Sequence, residues 1–302
     1  SAPRGPQENT TMAKNAMTSV FRLLQRAGNP IVQQRAFFLS SRSLANARGV
    51  RSSCTGYESR AHPRSFSVAA AAESAPQGAI HVEPAIAEEW GNVHSYESMS
   101  CVDGPGMRSI VFLQGCTKRC LFCANPDTIK TSGGTHTSSK DVADKLARAA
   151  PYLKKGDVCG GVTLSGGEPS IQPSFVAAIF KEAHALGLTT CIDTSGAGTT
   201  DGWDLFLPHT DYALVCIKST DKATYNHITQ TQESGRVVLR FIEELEKRSI
   251  PFWIRHVLMT GLTDSEKELT HVAELATSHS ACRGVELLPY HRLGLHKYKV
   301  RA

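Results

Sequence analysis

Three cysteines stand as C-x3-C-x2-C at Cys116, Cys120 and Cys123. Thiolates are soft donors that suit zinc and iron–sulfur clusters. A four-iron cluster normally takes one cysteine per iron, so three thiols in one short loop would leave one iron open to a small molecule. The same thiols could instead clip a zinc ion with a distant fourth ligand, or stay reduced and metal-free. Zinc loops generally come as two C-x2-C pairs, and no second pair follows here. Spacing therefore leans towards a cluster and leaves zinc open.

A loop of this kind has to be held in place, and past Arg108 the sequence alternates strand and helix patterns. Apolar runs of strand length cover 109–113, 161–164, 188–192, 212–217, 252–258 and 284–288. Helical spacing covers 138–153, opened by Ser138-x-x-Asp141, then 174–186, stopped by Gly187, and 233–248. A further helix, opened by Thr263-x-x-Glu266, runs through Ala276. Six such repeats predict a parallel α/β sheet. Pattern alone does not separate an open doubly wound sheet from a curved partial barrel. Parallel barrels carry their sites at the carboxyl ends of the strands. That rule gathers Cys116, Ser165-Gly166-Gly167-Glu168-Pro169, Asp193-Thr194-Ser195-Gly196, Lys218, Arg255-His256 and Pro289-Tyr290-His291 at one end. Glycines at 166 and 167 would let a ligand approach the backbone, although two glycines after a strand ordinarily just turn the chain. Lys218 would by default be a surface lysine, and His291 a hydrogen-bonded structural histidine.

The loop 115–128, ending Asn125-Pro126-Asp127-Thr128, resembles the cluster loop of radical S-adenosylmethionine (SAM) enzymes. With Gly91-Asn92-Val93-His94-Ser95-Tyr96-Glu97-Ser98 and Val102-Asp103-Gly104-Pro105-Gly106-Met107-Arg108 upstream, the chain resembles the pyruvate formate-lyase activating enzymes from about Gly91 to about Lys299. The resemblance implies a partial (β/α)6 barrel and a [4Fe–4S] cluster on Cys116, Cys120 and Cys123. It implies that Gly166, Gly167 and Glu168 meet the amino group of SAM, that Lys218 meets its carboxylate, and that His291 is a further cofactor contact. Phe122 and Ala124 would touch the adenine. Asp103 would hold the incoming substrate backbone, with Arg255 beside it. The implied reaction is reductive cleavage of SAM to a 5′-deoxyadenosyl radical, which takes hydrogen from a backbone glycine of pyruvate formate-lyase. A reduced flavodoxin or ferredoxin would supply the electron, and a monomer is expected. Two other readings stay open: a radical enzyme acting on another glycyl radical enzyme or a small molecule, and a non-catalytic zinc-binding protein.

Two departures from the family stand out. The fourth strand ends Val215-Cys216-Ile217-Lys218, where the family commonly has Leu-Asp-Leu-Lys. That aspartate joins the counterparts of Asp193 and Thr194 around a monovalent cation beside the cofactor, and a neutral thiol is a poor ligand for such a hard ion. A weakened or absent cation site is expected, with Asp193, Cys216 and Ile217 kept on the cofactor side. Family members also continue with a further segment that packs on the barrel, so a truncated C-terminal end is expected. Some activating enzymes of other glycyl radical enzymes insert an extra two-cluster domain after the loop. No cysteine lies between Cys123 and Cys159 to serve one.

The 302 residues are 41% hydrophobic and 20% charged, enough to bury a sizeable core. No apolar run approaches the ~20 residues of a membrane span, and no membrane partner is expected. Residues 1–80 hold ten Lys or Arg, nine of them Arg, against Glu8, Glu58 and Glu73, a balance of +7 that leaves the remainder at −2 of the formal +5. The remainder has no basic footprint for nucleic acid. An Arg-, Ser- and Ala-rich, acid-poor leader reads as a transit peptide and disordered linker over 1–80, directed to a mitochondrion, a chloroplast or both, with the catalytic domain over 81–302. A basic tail for a partner is the other reading of that stretch.

Overall fold

The apolar runs become neighbouring strands of one sheet in the computed structural model, which describes residues 86–155, 159–233 and 235–298. The leader expected over 1–80 lies outside the described residues. Two of the eight strands are antiparallel: β1 (Trp90–Ser100), which pairs with β2 (Arg108–Leu113), and β3 (Thr135–Ser138), which pairs with β1. From β2 the sheet continues in parallel through β4 (Gly161–Gly166), β5 (Thr189–Thr194), β6 (Tyr212–Cys216), β7 (Phe252–Leu258) and β8 (Cys282–Pro289). The order β3-β1-β2-β4-β5-β6-β7-β8 leaves β3 and β8 as unpaired edges. These six parallel strands are the expected repeats, in a sheet that does not close, as a partial barrel requires.

Helices fill the crossovers: α1 (Ser139–Leu153), α2 (Pro173–Ala185), α3 (Thr200–Phe206), α4 (Lys222–Thr229), α5 (Arg236–Lys247) and α6 (Glu266–Thr277), with a final turn, α7 (Leu295–Tyr298). Leu146, Phe180, Phe241 and Val272 on the helices bury against Leu164, Val215 and Ile254 on the strands. Such burial is the main favourable contribution to folding. The start of α1 is the expected capping box: Ser138 Oγ accepts from Asp141 N–H, and Asp141 Oδ2 accepts from Ser138 N–H.

Three expectations need correction. Thr263 does not open α6; Ser265 caps it, accepting from Glu268 N–H. The Thr263 hydroxyl is buried, donating to Val257 O and accepting from Met259 N–H. The helix expected over 233–248 starts only at Arg236, because Gly235 turns the chain in the left-handed region, φ 72°. The antiparallel β1 was not expected, since alternate residues face water and its sequence is largely polar. Gly91 in that strand is required by packing: a Cβ there would lie 2.2 Å from the Phe175 ring.

Arg108 opens β2 at its amino end. Fully buried, it donates to Pro105 O, Val162 O and Thr189 O and to the hydroxyls of Thr163 and Thr189. Among the described residues no carboxylate bonds to it, and burial lowers its pKa. Its hydrogen bonds satisfy the donors and tie the Asp103–Gly106 turn to β4 and β5.

Candidate active site

Strand β2 ends at Leu113, and the cysteine loop begins three residues later. Backbone bonds hold both sides of the loop. Gly115 N–H and Cys116 N–H donate to Thr128 O and Ile129 O, and Arg119 N–H and Leu121 N–H donate to Thr229 O and Ile228 O at the end of α4. The last carbonyls of a helix need partners from outside it, and the loop supplies them. Short α4 gave no clear periodic signal, yet it is the platform of the loop. On the far side, Tyr298 Oη–H donates to Cys123 O, and Lys297 Nζ donates to Asn125 Oδ1. His94 lies 3.2 Å from Asp127.

All three thiols are free. Burial, reinforced by the Glu168 carboxylate, pushes Cys116 up to about 11, and burial likewise raises Cys120 and Cys123. Ligand binding at such thiols must release protons. Among the described residues, no three His, Cys, Asp or Glu side chains are placed to hold one metal ion. A four-iron cluster makes no such demand, because each thiolate takes a different iron. Three soft thiolate donors on one loop fit a cluster that leaves one iron open.

The glycines after β4 serve the loop first. A Cβ on Gly167 would fall 2.0 Å from Gly115 O, and one on Gly166 would fall 2.4 Å from Leu113 N. What approaches this backbone is the base of the cysteine loop. Gly167 N–H and Glu168 N–H donate to Leu113 O and Gly115 O. Glu168 is buried, and its oxygens are occupied. Oε1 accepts from Ser170 N–H, Ser170 Oγ–H and Thr194 Oγ1–H, and Oε2 accepts from Ser195 N–H and Ser195 Oγ–H. Burial alone would raise its pKa, but the Lys118 ammonium and these hydrogen bonds hold it below the ordinary value. Glu168 clamps the ends of β4 and β5 together.

Lys218 follows β6 and is half-buried. Its ammonium donates to Cys216 Sγ at 2.9 Å and stands 5.4 Å from the centre of the Phe122 ring. Burial would lower its pKa, but the sulfurs of Cys216 and Cys120 and the Asp193 carboxylate outweigh that and raise it. Phe122, expected against adenine, is buried beside Ile228 and Cys120 and beneath Lys218. Ile217 is buried in the core, with its N–H on Arg255 O. Ala124 is exposed on the loop, its carbonyl close against Gly294. His291 is exposed beyond β8, with no hydrogen bond or ion pair among the described residues.

Arg255 on β7 joins the remaining acids. It donates to Glu286 Oε2 at 2.8 Å and to Val102 O at 2.7 Å, and stands 3.5 Å from Asp103 and 3.6 Å from Asp193. Burial would lower its pKa, and Asp193, Glu286 and Asp103 together raise it. Asp193 also accepts from Ser165 Oγ–H at 2.7 Å, yet burial leaves its pKa above the ordinary value. Glu286, like Lys118, was not singled out in the sequence, because each meets its partner only after folding.

The Radical SAM superfamily matches residues 110–273. Over 209 residues the chain is 41% identical to a pyruvate formate-lyase-activating enzyme of Clostridium pasteurianum, spanning 69% of this chain and 86% of that protein. The chain belongs to that family. A pyruvate formate-lyase-activating enzyme of Staphylococcus epidermidis is also 41% identical, over 216 residues, 69% of this chain and 84% of the relative. A solved domain of such an enzyme from Bacteroides vulgatus overlays with a TM-score of 0.40 at 25% identity, covering 47% of this chain and 91% of that one. Membership of the radical SAM superfamily implies SAM and a [4Fe–4S] cluster. The cysteine loop and Lys218 follow the ends of β2 and β6, and Arg255, in the middle of β7, links Asp193 near the end of β5 to Asp103 on the turn before β2.

Proposed function

We propose that this chain activates pyruvate formate-lyase by creating a radical on one of its backbone glycines, using SAM and a cluster held by Cys116, Cys120 and Cys123. The observation that carries the reading is the convergence of the cysteine loop with Lys218, whose ammonium sits over Phe122, between two of the cysteines. When bound, the cluster supplies one electron for cleaving SAM to methionine and a 5′-deoxyadenosyl radical. Lys218 offers a charge-assisted donor to the carboxylate of SAM. Gly166 and Gly167 present backbone groups beside the loop, and Glu168 fixes their position. Asp103, oriented by Ser100 Oγ–H and Arg255, offers an acceptor to the backbone of an entering glycine segment. No acid–base pair is required, since the protein contributes orientation and exclusion of water while the cofactors carry the radical chemistry.

The finer partners follow from the same reading. A reduced flavodoxin or ferredoxin delivers the electron, the chain acts as a monomer, and the acid-poor leader directs it to a mitochondrion or chloroplast. Anaerobic mixing of the reduced protein with SAM and pyruvate formate-lyase tests the activity. A glycyl radical signal in the electron paramagnetic resonance spectrum supports it. A cluster-loaded protein that yields no such signal, or a colourless protein that carries zinc instead, overturns it.

A further inference from the structure

Lys118 lies between two of the cysteines, and its side chain is only 1% exposed. Lysines are seldom fully buried unless paired. Among the described residues its one ion pair is with Glu233 Oε2 at 3.4 Å, on a side chain 36% exposed, and the buried Glu168 carboxylate acts on it from farther off. Neither atom of that pair finds a hydrogen-bond partner among the described residues. The ammonium is thus buried without the hydrogen bonds that usually compensate desolvation, so packing alone is a poor account of it. Its backbone N–H donates to Cys116 Sγ at 3.4 Å. Electrostatically, its charge favours the ionised sulfur at both Cys116 and Cys120.

We propose that Lys118 sets the reduction potential of the cluster: its buried positive charge stabilises the reduced form, and the carboxylates of Glu168 and Glu233 partly offset it. Net charge, hydrogen bonds to sulfur and solvent exposure are the protein's levers on such a potential. Reduction adds one negative charge, and a cation shielded from water acts on it more strongly than a solvated one. Lys118 would thereby ease electron delivery, while Glu233, nearer solvent, keeps the reduced cluster a strong donor. The proposal rests on the cluster reading above, and the test distinguishes the two.

Wild-type protein, Lys118→Met, Lys118→Arg and Glu233→Gln are loaded anaerobically, and iron and sulfide are counted. Each is then titrated to its cluster midpoint potential without SAM. Lys118→Met should reduce the reduced-to-oxidised ratio at a fixed potential about tenfold, a shift of about 59 mV to more negative values for a one-electron couple. Lys118→Arg should restore the wild-type midpoint, and Glu233→Gln should move it the opposite way. A merely structural lysine would give no shifts of opposite sign. Should Lys118→Met fail to load, a positive shift in Glu233→Gln supports the proposal and an unchanged midpoint overturns it. Equal midpoints in fully loaded variants overturn the proposal alone. Wild-type protein without iron and sulfide overturns the cluster reading, and the proposal with it.

Discussion

Glu168→Gln isolates what holds the site together. In the wild type, one buried carboxylate accepts five hydrogen bonds, from Ser170, Thr194 and Ser195, and faces the Lys118 ammonium. Glutamine keeps one acceptor oxygen. Its amide nitrogen, placed where Oε2 stood, confronts the Ser195 N–H with a second donor, and an orphaned buried donor costs about 1–3 kcal/mol. Lys118 meanwhile loses the Coulombic attraction of the Glu168 carboxylate, its direct ion pair being with Glu233. The orphaned donor sets the scale, so a loss of about 1–3 kcal/mol is expected. Equilibrium urea unfolding at neutral pH measures it. The pH dependence gives an internal check. The folded pKa lies below the ordinary 4.5, so the stabilisation is fully present above that value and is lost as pH falls through the folded pKa. The gap between wild type and Glu168→Gln should close as the pH falls through that range. A loss under about 1 kcal/mol at neutral pH, below the cost expected of an orphaned buried donor, would refute the clamp.

Replacing any of Cys116, Cys120 or Cys123 with Ala should abolish cluster loading and deoxyadenosine formation, measured by iron content and chromatography; full activity in all three would end the ligand assignment. Lys218→Ala should weaken SAM binding by about 1.5–3 kcal/mol, the range for hydrogen bonds to charged groups, and an unchanged anaerobic Kd would place the lysine elsewhere. The Lys218 ammonium already bonds Cys216 Sγ, and Asp193 is engaged by Ser165 and Arg255. Activity should therefore depend little on potassium, with Cys216→Asp introducing that dependence; saturable potassium activation of the wild type, unaltered by Cys216→Asp, contradicts this.

The parallel strands were legible because strands buried on both faces read as continuous apolar runs, as Val162-Thr163-Leu164 and Ala213-Leu214-Val215 do. The carboxyl ends of four runs were legible as well, since they pass into Cys116, Gly166, Asp193 and Lys218, whereas Arg255 and His256 lie inside their strand. Strand β1 escaped because one face meets water and its sequence is largely polar. Helix α4 escaped because it is short, although its carbonyls anchor the cysteine loop. The roles of Glu168, Lys118 and Glu286 depend on partners far along the chain, for which local spacing carries no signal. Phe122 was legible as a site neighbour but not as the seat of Lys218, since 96 positions separate the two residues.

The central claim is that the radical made here takes hydrogen from a glycine of pyruvate formate-lyase. It is tested most directly with a partner enzyme deuterated at its glycine α-carbons. Reduced, cluster-loaded protein and SAM are added, and the deoxyadenosine formed is weighed by mass spectrometry. The account predicts deoxyadenosine carrying one deuterium, formed in step with the glycyl radical. Unlabelled deoxyadenosine in the same amount, with no glycyl radical, would contradict it.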